Sequence, residues 1–249
     1  MGVKNAWPFF SSHKLLDRDQ IPFTDFCAST NQRIYVDVMS VFFNKFKNAA
    51  LKNNLNAFAG RLKQLFLDNL DQVWFVIDGH RSVEKWKTHF SREEKRKAIL
   101  EKAARIIRSC KKRSKRCLKT GCRKRISKLL HQSFAYSFED KIKLLDAMQS
   151  IGLNTILAPG EADVYLAKCP NVIAVTIDSD FLFIQSISVV LKAQIQGNDI
   201  LVTPVLKDDL LEKLDLDRES LAILGVISGN DYSDNYKQYG LKRNYEIIR

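Results

Sequence analysis

The sequence predicts an α/β protein with a mostly parallel central sheet flanked by helices. Three observations carry that expectation. Short apolar runs rich in β-branched residues recur along the chain, and each ends in an acid: Ile34-Tyr35-Val36-Asp37, Val73-Trp74-Phe75-Val76-Ile77-Asp78, and Ile173-Ala174-Val175-Thr176-Ile177-Asp178. Such runs read as buried strands. Stretches of helical composition stand between them. In an open parallel sheet, the strand ends are where ligands sit.

At 249 residues the chain has length for one large domain or two small ones. No apolar run approaches the roughly 20 residues needed to span a bilayer. Lys4, Lys14, Asp17, Arg18 and Asp19 crowd the opening, so no secretory signal is expected. Gly2 has the position of an acylation site, but Ala6 stands where that signal wants Ser or Thr. Five cysteines, an odd number, read as free thiols in a reducing compartment. The chain is expected inside the cell, in the nucleus or else the cytoplasm.

Charge is uneven. Residues 81–130 hold 20 of the 40 Lys and Arg and only four acids. A patch that concentrated calls for a polyanion. Nucleic acid fits better than a membrane, because the segment is read as lacking the Trp/Phe/Leu face of an interfacial helix.

Taken in order, residues 7–30 are mixed, with Pro8 and Pro22 as breakers. A first strand ends at Asp37, and residues 41–67 are helical in composition. A second strand ends at Asp78-Gly79, which taken alone would be a turn. Ser91-Arg92-Glu93-Glu94 resembles a capping box opening a basic helix that continues toward Leu130, with Gly121 as a break. Cys110-Lys111-Lys112-Arg113-Ser114-Lys115-Arg116-Cys117 also fits a nuclear-import signal. Cys110, Cys117, Cys122 and His131 lack a Cys-x-x-Cys pair, which argues against zinc. Residues 138–152 form an amphipathic helix with Leu144, Leu145 and Met148 inward. Pro159-Gly160 turns the chain, and Glu161 and Asp163 start a helix. The run from Ile173 to Ile184 follows, delivering Asp178 and Asp180. Residues 187–206 form a hairpin around Gly197-Asn198. Leu221 to Ile227 is an apolar helix that ends near Asp231.

Each acid taken singly is explained by a turn or a helix cap. Together they are harder to explain that way. Asp37, Asp78, Asp178 and Asp180 fall at strand ends, while Glu161, Asp163 and Asp231 fall at termini able to face the same edge. Seven carboxylates in one place do not stay ionised without a cation. All-oxygen ligation suits Mg²⁺ or Mn²⁺. Two such ions would clamp an in-line attack of water on a phosphodiester.

The blocks IYVDVMSVFF, FVIDGH, APGEADVYLA, TIDSDFLFI and LGVISGNDY, in that order, resemble the flap endonuclease/XPG-type family of 5′-nucleases. The opening MGVKNAW is similar too. The resemblance implies a PIN-like fold, a basic helical arch, and a C-terminal helix-two-turn-helix element that grips duplex DNA. It implies that Asp37, Asp78, Glu161 and Asp163 form one part of a two-Mg²⁺ site (or Mn²⁺) and that Asp178, Asp180 and Asp231 complete it. Asp163 stands where Glu is commoner. Lys85 and Arg92 match the two arch cations that act on the scissile phosphate; lying seven apart, they would share a helix face. Phe43 matches an aromatic that stacks on a base, with packing as an equal reading. Gly2 would bring its backbone close to DNA. Lys111, Lys112, Arg113, Lys115 and Arg116 would contact nucleic acid from the arch. Of the family's duplex-gripping hairpin, Gly240, Lys242 and Arg243 match, whereas Gln238 and Leu241 do not. That departure puts the potassium-assisted grip in doubt. No sliding-clamp-binding tail of the family is read in the sequence.

The expectation is therefore one nuclease domain over 1–249: an N-terminal block at 1–80, a basic arch at 81–135, and a second block at 136–249. The partner would be DNA with a 5′ flap or end, bound by a monomer, with no membrane. Two alternatives stand beside it. One is a non-catalytic nucleic-acid-binding module on a nuclease scaffold; the other is a basic scaffold whose acids serve as caps. RNA in place of DNA is a variant of either the nuclease or the binding-module reading.

Overall fold

The computed structural model describes residues 3–15, 18–80, 82–112, 120–230 and 239–249. Gly2, Arg113, Lys115, Arg116 and Asp231, and the side chains of Lys111 and Lys112, lie outside the described residues. The chain divides into two compact units: Met1–Ser82 with Phe138–Arg249, and Val83–Ser137.

The first unit is built on a seven-stranded sheet of described residues: β1 (Ile21–Pro22), β2 (Ile34–Asp37), β3 (Val73–Ile77), β4 (Thr155–Leu157), β5 (Val172–Thr176), β6 (Ile187–Gln196) and β7 (Asp199–Leu206). The strand order is β1-β7-β6-β5-β2-β3-β4. β2 pairs in parallel with β3 and β5, β3 with β4, and β5 with β6. β7 closes one side antiparallel to β6, and β1 antiparallel to β7. The order reverses between β2 and β5, which makes a topological switch point there.

The helices, in chain order, are α1 (Ala6–Ser12), α2 (Phe23–Ala28), α3 (Val38–Val41), α4 (Phe43–Leu51) and α5 (Leu55–Leu65). Then come α6 (Trp86–Lys112), α7 (Thr120–Ser133), α8 (Phe138–Gln149), α9 (Ala162–Leu166), α10 (Lys207–Leu214), α11 (Arg218–Ile227) and α12 (Leu241–Ile248). Only α6 and α7 belong to the second unit.

Why the sheet forms is plain from burial. All five residues of β5 are buried, as a strand covered on both faces requires. One cluster gathers Phe23, Phe42, Phe58, Phe66 and Phe75, with Phe66 edge-on to Phe75 at 5.1 Å. A second gathers Phe10, Leu166, Phe181, Leu210, Leu224 and Tyr245. The hairpin turns at Gly197, whose φ of 61° suits glycine, and pairs Gln196 with Asp199.

Four sequence expectations are corrected. The strand expected to run from Ile173 and to end in Asp178-Ser179-Asp180 stops at Thr176, and residues Ser179–Leu182 form a 3-10 turn. Asp178 begins that turn, its carboxylate accepting the Asp180 N–H at 3.2 Å. Ser91 opens no helix: α6 starts at Trp86, because nothing between Trp86 and Phe90 breaks a helix. Glu93 and Glu94 pair instead with Arg96 and Lys97. Gly121 is the second residue of α7; a first-turn glycine forfeits little, since first-turn N–H groups have no helical partner. Finally, the early start of α6 puts Trp86 and Phe90 on it, about 60% exposed, with Leu100 and Ile107 further along. The basic segment therefore does carry an exposed apolar-aromatic stripe.

Candidate active site

The parallel strands deliver their acids to one edge. Asp37 is the last residue of β2, Asp78 follows β3 by one residue, and Asp178 follows β5 by two. Asp180 sits in the 3-10 turn, and Glu161 and Asp163 stand at the start of α9 after β4. Asp37 and Asp178 flank the switch point.

Asp37 caps α3 and faces the site at once. Its Oδ1 accepts the Ser40 N–H at 3.0 Å, and its Oδ2 accepts the Thr176 hydroxyl at 3.3 Å. Across the sheet edge, Asp180 Oδ1 accepts the Val3 N–H at 2.6 Å, which ties the stretch before α1 to the 3-10 turn. The Trp7 indole N–H donates to the Ile177 carbonyl at 3.0 Å on the same rim.

Asp78 is placed by two loops zipped together. Gly79 N–H donates to Gly160 O at 2.6 Å, His80 N–H to Pro159 O at 3.3 Å, and Ala162 N–H to Asp78 Oδ1 at 2.8 Å. A Cβ on Gly79 would lie 1.8 Å from Ala158 O, so only glycine permits this approach. What reads in sequence as an ordinary Asp-Gly turn is a packing requirement.

Electrostatics binds these acids into one group. Burial pushes the Asp37 carboxyl well above the usual carboxylate range; the charge of Asp78 adds to this, the Ser40 N–H partly offsets it, and Asp178 and Asp163 add the rest. Asp78 is also raised, first by burial, with the Ala162 N–H and Lys141 opposing and Glu161 and Asp163 reinforcing. Lys141 is a residue that sequence reasoning missed. It is buried on α8, in line with Leu144 and Met148, and its ammonium donates to Gly79 O at 2.7 Å. The signal was available: a lysine at a core position of an amphipathic helix needs a partner. Lys141→Met should therefore raise the Asp78 pKa. The acid limb of a pH–rate profile would then move to higher pH, and stability would fall by about 1–3 kcal/mol.

Among the described residues, no group of three or more His, Cys, Asp or Glu side chains is gathered so as to hold a metal ion. The donor chemistry nevertheless fits a hard cation. The six described acids offer only oxygen, and two of them, the buried Asp37 and the half-buried Asp78, repel one another and are held by hydrogen bonds that leave lone pairs free.

No family model matches this chain. It is 31% identical over 190 residues to flap endonuclease 1 of Sulfurisphaera tokodaii, covering 70% of this chain and 52% of that protein. Exodeoxyribonuclease 1 of Schizosaccharomyces pombe is 36% identical over 109 residues, 40% of this chain and 18% of the relative. Among solved structures, the catalytic core of Rad2 in complex with DNA substrate superposes with a TM-score of 0.61 at 21% identity, over 99% of this chain and 67% of that one. The chain belongs to the flap endonuclease/XPG-type 5′-nuclease family. Human GEN1 in complex with Holliday junction DNA shares the fold, with a TM-score of 0.56 at 18% identity, over 99% of this chain and 55% of that one. The chain spans about half the length of the flap endonuclease it matches.

The family's other expected residues fall in several places. Lys85 precedes α6 rather than lying on it, its carbonyl accepting the His89 N–H at 2.9 Å, while Arg92 lies about 1.7 turns into the helix. Phe43 opens α4, half-buried, with the Lys47 ammonium 5.8 Å from its ring centre. Gly240 caps α12 in an extended conformation, and the Arg243 guanidinium stacks 4.5 Å over Tyr239. Asn244 ties α12 to α11 through Ile227 O and Ser228 Oγ at 3.2 and 3.1 Å. Lys242 is exposed on α12. Among the described residues no helix is long and apolar enough to cross a membrane.

Proposed function

We propose that this chain is a metal-dependent, structure-specific nuclease that hydrolyses DNA phosphodiesters at flaps, junctions or 5′ ends. The observation that carries the reading is the acid edge at the switch point: Asp37 is buried and Asp78 half-buried where the charges of Asp163, Asp178 and Glu161 reach them. Structural acids are rarely arranged to repel one another in a dry place.

Asp37, Asp78, Glu161 and Asp163, with Asp178, Asp180 and Asp231, would hold two ions. Mg²⁺ or Mn²⁺ there supplies Lewis-acid stabilisation of phosphate oxygens and a nucleophilic water at neutral pH. The protein's part is to fix and orient the carboxylates and to bind the strand. Lys85 and Arg92 are assigned to the scissile phosphate, Phe43 to a base beside the cut, and Lys242 and Arg243 to the duplex backbone. The concentrated charge of residues 81–130, with Trp86 and Phe90 exposed among it, suits a strand with unpaired bases. The partner is DNA, bound by a monomer, and the lysine-rich stretch directs the protein to the nucleus.

Binding is expected to weaken steeply with salt, by roughly 10³-fold between 50 and 200 mM, as fluorescence anisotropy would read. Trp86→Ala with Phe90→Ala should lower affinity for single strands more than for blunt duplex.

A second reading, a binding module without catalysis, is favoured by one observation: no ion-holding group is already formed among the described residues. A panel of 5′-flap, blunt duplex, single-stranded and RNA-flap substrates in Mg²⁺ separates the two. Cutting confined to the DNA junction supports the proposal. Tight, salt-sensitive binding with no cutting of any substrate would favour the module.

A further inference from the structure

Two hydroxyls join the acid-bearing strands, and neither belongs to the carboxylate set. Thr176 is the last residue of β5 and fully buried; Ser40 lies in α3, just beyond β2. Thr176 Oγ1 stands 3.3 Å from Asp37 Oδ2 and 3.1 Å from Ser40 Oγ, and it accepts the Asp178 N–H at 3.0 Å. Ser40 Oγ accepts the Ile177 N–H at 3.1 Å, while the Ser40 N–H donates to Asp37 Oδ1 at 3.0 Å.

Hydrogen counting fixes the direction of this chain. An ionised Asp37 has no proton to give, so the Thr176 hydroxyl donates to it. Thr176 then accepts from the Asp178 N–H and from the Ser40 hydroxyl, which fills both lone pairs. Ser40 in turn accepts from the Ile177 N–H. Every donor is used, and the network polarises in one direction, toward the carboxylate. Each Asp37 oxygen accepts one of these bonds and keeps a lone pair for a ligand. The network also fastens the Asp37 carboxylate to the backbone of Ile177 and Asp178. The spacing of two acids from neighbouring strands is therefore set before any cation arrives.

From this geometry we infer that Ser40 and Thr176 are positioning residues that preorganise Asp37 and Asp178 for divalent-ion binding. The inference rests on the metal reading proposed above. Outer partners that orient ligating carboxylates typically govern metal affinity by 10–100-fold. Thr176→Val keeps the shape and removes the hydroxyl; Thr176→Ser keeps the hydroxyl and removes the methyl. Ser40→Ala, at a half-buried position, is the second probe if Thr176→Val does not fold.

The test is calorimetric titration of Mn²⁺ into the metal-free full chain of each variant, with melting curves as the folding control. Thr176→Val and Ser40→Ala are expected to bind Mn²⁺ about 10–100-fold more weakly, with Thr176→Ser close to the native protein. In parallel, the Mg²⁺ concentration for half-maximal cleavage should rise while KM for DNA stays unchanged. Native-like Mn²⁺ affinity in Thr176→Val and Ser40→Ala would overturn the inference alone. So would equal weakening in Thr176→Val and Thr176→Ser, since the methyl would then be responsible. A native protein that takes up no Mn²⁺ would overturn the metal reading, and this inference with it.

Discussion

Asp37→Asn is expected to melt about 2–4 °C above the native protein in EDTA and to lose the stabilisation that divalent ions give. The sign follows from the direction of the shift. The folded Asp37 carboxyl binds its proton more tightly than it would unfolded, first through burial and then through the charge of Asp78. Below the unfolded value, near 4, both states are protonated and there is no penalty. As pH rises through the raised folded value the penalty grows, so metal-free stability should fall. Asp78 contributes in the same direction, with Lys141 opposing. Asparagine carries no charge at any pH; its carbonyl can still accept the Ser40 N–H, and the Thr176 hydroxyl, turned to donate to Ser40 Oγ at 3.1 Å, can accept from the new amide N–H. A cation reverses the balance in the native protein: at a hundred times its Kd, an ion stabilises by about 2.7 kcal/mol, or roughly 5–10 °C here. Melting curves at several pH values, with EDTA and with Mg²⁺, read both effects. An Asp37→Asn that melts below the native protein in EDTA would contradict the account of the acid edge.

Gly79→Ala should be the most damaging single methyl at the site. Its Cβ would lie 1.8 Å from the backbone oxygen of Ala158, where no side chain can move aside. The loops after β3 and β4 must part, breaking the Gly79–Gly160 hydrogen bond of 2.6 Å. A cost of about 3 kcal/mol is expected, or roughly 6–12 °C in melting temperature. Asp78 moves with the loop, and a displacement near 1 Å is worth about 100-fold in rate. Gly60→Ala is the control, since nothing lies within 4 Å of a Cβ there. Differential melting and cleavage rates of the two variants check this.

The parallel order of the sheet was legible because β2, β3 and β5 are apolar runs too uniform for a half-exposed strand. The hairpin was legible because Gly197-Asn198 divides two alternating runs. What the sequence concealed lies in contacts between distant residues. Thr176 and Ser40 are 136 positions apart, and neither type is a metal ligand. Gly79 looks like a turn until Ala158, 79 residues later, arrives against it. The capping pattern at Ser91 was outweighed because a helix propagates upstream wherever nothing stops it. Lys141 was readable in principle, as a charge on an otherwise apolar stripe. Its partner, a backbone carbonyl, leaves no mark in sequence.

The most direct test is cleavage of 5′-labelled double-flap DNA by the native protein and Asp178→Ala, each with Mg²⁺ and with EDTA. The account predicts cutting at the junction by the native protein in Mg²⁺ alone. Cutting that survives EDTA, or that Asp178→Ala retains in full, would contradict it.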